Sequence, residues 1–146
     1  MRTVLPAPGF ERPAETVGEA LVPGLFPWTI RLAGPQSAWP ALEVYEAGTL
    51  LDVISSTRLL VSLLRGARAG DGTAGPCALA WGRLIAPDAG LSAEFSRGRL
   101  RPTTQAGAVT RMGGWCWLAV ADGTFDSVTV RSGGRTICGR LRRRRP

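Results

Sequence analysis

The 146-residue sequence predicts an all-β fold, a barrel or sandwich of short strands with little or no helix. Short apolar segments recur through the C-terminal half, ALAWGRLI, LSAEF, WCWLAVA, SVTVR and TICGRL, and they are punctuated by APDAG, SRGR, ADGTFD and SGGR. Asp122-Gly123 and Gly133-Gly134 stand where hairpin turns are expected. Farther upstream, Leu42 and Val44 alternate with Glu43 and Tyr45, the two-residue period of a half-buried strand.

Taken in order, residues 1–26 hold Pro6, Pro8, Pro13 and Pro23 without a sustained period and read as an irregular N-terminal arm. WTIRLAG, from Trp28, reads as a short strand, and SAWPALEVYEAG continues as a second extended stretch. Thr49 to Gly66 admits two readings. Thr49 with Asp52 resembles a capping box, and Leu50, Ile54, Val61 and Leu64 are roughly helically spaced. The Ser55-Ser56-Thr57 break and the alternation Leu59, Val61, Leu63 favour strand, turn, strand instead. GARAGDGTAGPC, from Gly66 to Cys77, reads as a flexible glycine-rich loop. The length fits one domain, with a β-domain over 27–139 and an arginine-rich tail over 140–146.

All 18 basic residues are arginine, since there is neither lysine nor histidine. That excludes Ser-His-Asp and Cys-His catalysis, Cys/His zinc sites, Schiff-base chemistry and a lysine-bearing phosphate loop. Gly, Ala, Arg and Pro make up nearly half the chain, so GC-rich coding is the plainer account of the missing lysine. Five arginines, Arg140, Arg142, Arg143, Arg144 and Arg145, crowd into the last seven residues, and the others nearly balance the eleven carboxylates. Such a run reads either as a nucleic-acid or nuclear-targeting patch or as a solvated tail. Cys77, Cys116 and Cys138 lack CxxC spacing and read as free, packed thiols, Cys116 between two tryptophans most of all. Without a leader-like stretch or an 18-residue apolar run, the chain reads as soluble and intracellular, with no membrane partner.

The order of segments resembles the dUTPase family. AWGRLIAPDAGLS, from Ala80 to Ser92, is similar to the stretch in which a strand x-G-R-[IV] runs into P-R-S-G-L-A. SVTVRSGGRTICGRL resembles F-x-V-x-x-G-D-R-I-A-Q-L, with Val128, Val130, Gly133 and Arg135 in register. AGAVTRMGGWCWLAVAD occupies the place of the uracil hairpin, A-G-V-I-D-x-D-Y-x-G. DVISSTRLLVSLL is laid out like the family's strand, I-P-P turn and following strand, and TIRLAGPQSAWPALEVYEAG like its first strand. The resemblance spans Trp28 to Leu141 and implies a distorted β-barrel or jelly-roll-like sandwich, no helix at 49–66, and a homotrimer. In character it comes closest to the divergent dUTPase-like proteins of adenovirus early regions and herpesviruses.

The same comparison implies that catalysis is lost. Thr110 falls where the family's water-activating aspartate stands, and a hydroxyl is too weak a base to replace it. Asp88 and Ala89 replace the phosphate-contacting arginine and serine, reversing the local charge. Gly134 and Cys138 replace an aspartate and a glutamine, and RLRRRRP stands in place of the glycine-rich closing arm. What persists, Gly82, Gly90, Gly107, Gly133 and Arg135, is mostly turn-forming glycine. The expectation is a pseudoenzyme, a protein-interaction module of regulatory and viral type, acting in the host cytoplasm or nucleus. Of its five tryptophans, Trp28 and Trp39 are the surface candidates. Two alternatives stand beside it: nucleic-acid binding or nuclear targeting through Arg140 to Arg145, and a surviving nucleotide pyrophosphatase. No cofactor is expected; only the enzymatic alternative calls for Mg²⁺, on Asp52, Asp88, Asp122 or Asp126.

Overall fold

The computed structural model describes residues 19–22, 24–34, 39–56 and 62–144, and every regular element among them is a strand. Among the described residues thirteen strands form three sheets, none of them closed into a barrel. The chain divides into two compact units, residues 1–58 and 59–146. The physical reason is local pairing: every ladder of the first sheet closes within residues 19–55.

The first sheet is an antiparallel meander of β1 (Glu19–Val22), β2 (Trp28–Ala33), β3 (Ala41–Glu46) and β4 (Thr49–Ser55). Its alternation is the one read from the sequence, since Trp28, Ile30, Leu32, Leu42, Val44 and Ile54 are buried. Glu46 is buried with them, and its carboxylate accepts a hydrogen bond of 2.9 Å from the indole N–H of Trp28. One expectation is corrected here. Residues 19–22, assigned to the irregular arm, form a strand paired with β2, while residues 1–18 lie outside the described part. The second extended stretch is present as β3, which pairs with β2 along its whole length.

The described part of the second unit begins with the irregular residues 62–65 and continues with β5 (Gly66–Gly72), β6 (Gly75–Arg83), β7 (Ser92–Arg97), β8 (Thr103–Ala106), β9 (Ala108–Met112), β10 (Cys116–Asp122), β11 (Ser127–Ser132), β12 (Arg135–Arg140) and β13 (Arg142–Arg143). Sheet order is β13-β5-β6-β10-β9 in one layer and β12-β11-β7-β8 in the other. The chain therefore makes a hairpin in one sheet, crosses to the other sheet, and repeats. Leu63, Ala78, Ala80, Trp117 and Ala119 meet Phe95, Val128 and Val130 in the shared core. β6 is buried on both faces from Ala78 to Arg83, as the unbroken apolar run ALAW requires.

Glycine is where sequence and structure part. The predicted flexible loop over 66–77 is the β5–β6 hairpin, because its small residues are small for packing: Ala67 and Ala69 are core, and a Cβ on Gly66 would run into the Trp81 ring. Gly107 likewise lets the chain turn from β8 into β9, since its Cβ would lie 2.8 Å from the Phe95 ring. Gly133-Gly134 makes the predicted β11–β12 hairpin, with φ of 55° and 79°. Asp122-Gly123 does not make a hairpin; β10 and β11 belong to different sheets, and the Gly123 N–H bonds Pro76 O across the crossing. Of the strand, turn, strand predicted at 49–66, β4 is present and 57–61 lie outside the described residues. Leu63 and Leu64 are irregular and not strand.

Trp117 is fully buried, and its indole N–H donates to Leu63 O at 2.9 Å. Trp117→Phe removes that donor and leaves both a void and a buried carbonyl without it. We expect a loss of about 2–4 kcal/mol in urea-denaturation free energy. A change within about 0.5 kcal/mol would contradict this account of the core.

Candidate anion-binding surface

Three of the motif positions singled out in the sequence come together. The loop after β6 and the β11–β12 turn enclose an open groove of about 460 Å³ lined by Gly90, Leu91, Ser92 and residues 131–136, so that Gly90, Gly133 and Arg135 share one wall-to-wall space. Ser132, buried beneath it, donates its hydroxyl to Gly90 O at 2.5 Å and holds loop and turn together. Arg131, Arg135, Ser92 and Thr136, all exposed, are among the lining residues, and no Asp or Glu is. Such a set can bind an anion; it holds no base to activate water.

Asp88 and Ala89 sit on the same loop but are not among the lining residues. Arg111 straps this loop to β9: its guanidinium donates to Pro87 O at 3.2 Å and, more closely, to Ala89 O. Thr110, next to Arg111, is exposed on β9. Gly107 belongs to the core corner described above and not to the groove. Asp52, Asp88, Asp122 and Asp126 are not gathered, for among the described residues no three His, Cys, Asp or Glu could hold a metal ion. Asp126 is employed otherwise: its carboxylate accepts the Gly98 N–H at 3.0 Å.

The arginine-rich terminus is built into the fold, which corrects its reading as a tail. Arg140 ends β12, Leu141 N–H bonds Asp126 O, and Arg142 and Arg143 pair in parallel with Arg68 and Ala69 of β5. The side chains of Arg140, Arg142, Arg143 and Arg144 are all exposed; Arg145 lies outside the described residues. The near-neutral charge of the remainder also resolves into two opposite parts. Residues 59–139 carry nine arginines against five carboxylates, residues 1–58 four against six. Sequence reasoning missed Arg97, Arg99, Arg101, Arg111 and Arg131, although the alternation SRGRLRP was a visible signal for the first three.

Among the tryptophans, Trp39 is 70% exposed, as expected of a surface candidate, but Trp28 is buried. Its ring continues the Ile30, Leu32 stripe of β2 and its N–H has the Glu46 carboxylate as partner, which removes it from the surface. Trp81 and Trp117 are core, and Trp115 lies under Arg83, whose guanidinium carbon is 5.6 Å from the ring centroid.

The three thiols are unlike one another. Cys116 is fully buried, its Sγ donating to Met112 O at 3.2 Å, and burial pushes it up to about 12 against the opposing pull of Arg83. Burial also raises the half-buried Cys77, the Gly72 backbone opposing. Cys138 is exposed beside Thr129, contrary to the expectation that all three are packed.

Compared with known protein families, curated proteins and solved structures, the chain matches none.

Because the thiolate is the reactive form, a thiol reagent at pH 8 is expected to modify Cys138 first, Cys77 more slowly, and Cys116 only on unfolding. Peptide mass mapping reads the order, and early labelling of Cys116 in folded protein would refute it.

Proposed function

We propose that the chain is a non-catalytic β-protein that binds a polyanion, with nucleic acid as the class of partner, through the arginines of β12, β13 and their junction. The observation that carries this reading is that Arg140, Arg142 and Arg143 project from backbone fixed in two sheets while their side chains stay exposed. Strand pairing removes backbone freedom before any ligand arrives, so less ordering opposes each phosphate contact. The strongly basic composition of residues 59–146 adds a long-range attraction of the same sign. Arginine contacts to phosphate give affinity that is salt-sensitive and indifferent to sequence.

Kinship with dUTPases, and with it a jelly-roll-like arrangement and a homotrimer, remains part of the proposal. Its support is the segment order: the quoted stretches fall on β6 and β7, on the β9–β10 hairpin and on the β11–β12 hairpin. The non-catalytic reading is supported by the groove lining, which offers hydroxyls and guanidiniums and no carboxylate. Regulatory binding of a protein is the second reading. Trp39, 70% exposed, favours it, because exposed tryptophan is a frequent anchor at protein interfaces.

Fluorescence anisotropy with a labelled duplex, across a salt series, tests the first reading. The full chain is expected to bind, and the triple variant Arg142→Ser, Arg143→Ser, Arg144→Ser to bind more weakly with a salt slope shallower by about 2–3. An unchanged slope would sink the assignment to this edge. No pyrophosphate is expected from dUTP and Mg²⁺; measurable release overturns the non-catalytic reading. A solution mass other than that of a trimer removes the oligomer from the proposal.

A further inference from the structure

Leu100 is 97% exposed, the most exposed large apolar side chain among the described residues. It tops the five-residue β7–β8 loop, Gly98-Arg99-Leu100-Arg101-Pro102, between the paired Arg97 and Thr103. Arg97, Arg99 and Arg101 are exposed around it, and no carboxylate lies within the loop. A single exposed leucine is ordinary on a protein surface. This one is distinguished by how it is held. Asp126 grips the loop at its base, its carboxylate accepting from Gly98 N–H at 3.0 Å and its own N–H donating to Ser96 O at 2.9 Å. Pro102 fixes the backbone at the other end. The fold therefore presents an apolar tip, flanked along the chain by exposed arginines, on a braced support.

The same brace ties the loop to the proposed arginine edge. Asp126 O accepts the Leu141 N–H, and the register sets Arg140, Ser127, Ser96 and Thr104 side by side across β12, β11, β7 and β8. Two strand spacings, about 10 Å, separate the backbone of Arg140 from that of Ser96. The loop and the edge thus face a ligand from one end of the second unit. Acidic groups also lie at this end: Asp126 is engaged by the loop, and Asp71 and Asp122 act on Cys77 together with Arg143.

Resting on the polyanion reading above, we propose that the β7–β8 loop is a wedge for the minor groove of duplex DNA. Leu100 enters a base step and partly unstacks it, Arg99 and Arg101 lie along the groove and its phosphates, and the arginine edge holds the flanking backbone. Leucine and proline are among the side chains that proteins insert between base steps, and the resulting kink lets more of the basic surface reach phosphate. A lipid surface is the less suited partner. One leucine without an aromatic neighbour at the tip is a weak membrane anchor, whereas alternating arginines suit a groove walled by phosphates.

The test uses the full chain and a duplex of about 30 base pairs with an A·T-rich centre, labelled at its ends for energy transfer. Wild-type protein is expected to bind and to raise transfer by bending the duplex. Leu100→Ser, whose side chain is in solvent and whose melting temperature should be unchanged, is expected to lose the bend and about tenfold in affinity while keeping the salt slope. Arg99→Ser with Arg101→Ser is expected to lower the slope by about 2. If wild-type and Leu100→Ser proteins bind and bend DNA alike, the wedge is wrong and the polyanion reading stands. If the wild-type protein binds no DNA at low salt, both fall. Sedimentation with phosphatidylserine vesicles that depends on Leu100, with DNA binding indifferent to it, overturns the wedge in favour of a lipid surface.

Discussion

The hydrogen bond from the Trp117 indole to the Leu63 carbonyl fixes how the chain enters the sheets of its second unit. Residues 62–65 join no regular strand, yet Leu63 is fully buried, so its carbonyl needs a partner that the ladders do not provide. The indole supplies it from the opposite side of β6, where Gly82 leaves room: a Cβ there would collide with Leu63 O. Two further bonds, Arg83 N–H to Ser62 O and Arg65 N–H to Trp81 O, run alongside. With this segment set, Gly66 starts β5 beneath the Trp81 ring, and the β5–β6 hairpin follows in register. One tryptophan thus anchors a crossing that small residues make possible.

That dependence explains what the sequence could reveal. The all-β class was legible because Ile30, Leu32, Leu42 and Val44 alternate with polar neighbours and because the C-terminal segments are too short for helices. The β5 strand was not, since Gly66, Ala67, Gly70 and Gly72 carry loop chemistry in isolation and become strand only against Trp81 and the core alanines. Trp28 was misread for a related reason: the less regular pattern of the N-terminal third suggests exposure, while burial depended on a tertiary partner, Glu46, eighteen residues away. Asp122-Gly123 has hairpin composition, but nothing local tells a hairpin from a crossing between sheets.

The candidate surface was legible in part. Gly90, Gly133 and Arg135 were singled out and do converge, whereas Asp88, Ala89, Gly107 and Thr110 do not line the same space. Arg111 and Ser132, which fasten the loop that shapes the groove, carry no local signal, since each acts on a backbone carbonyl more than twenty residues away. The charge was counted correctly and located wrongly. An arginine run at a terminus looks like a tail until strand pairing places it in a sheet.

The position of those arginines has a consequence for how copies of the molecule meet each other. β12 and β13 are edge strands, and an edge with open backbone donors and acceptors invites pairing with another chain. Arg135, Arg140, Arg142 and Arg143 place positive charge along these edges, which opposes pairing of one such edge with its like. On the proposed reading, saturation with polyanion cancels that repulsion, so a mixture of the two is least soluble near charge equivalence and an excess of either component redissolves it.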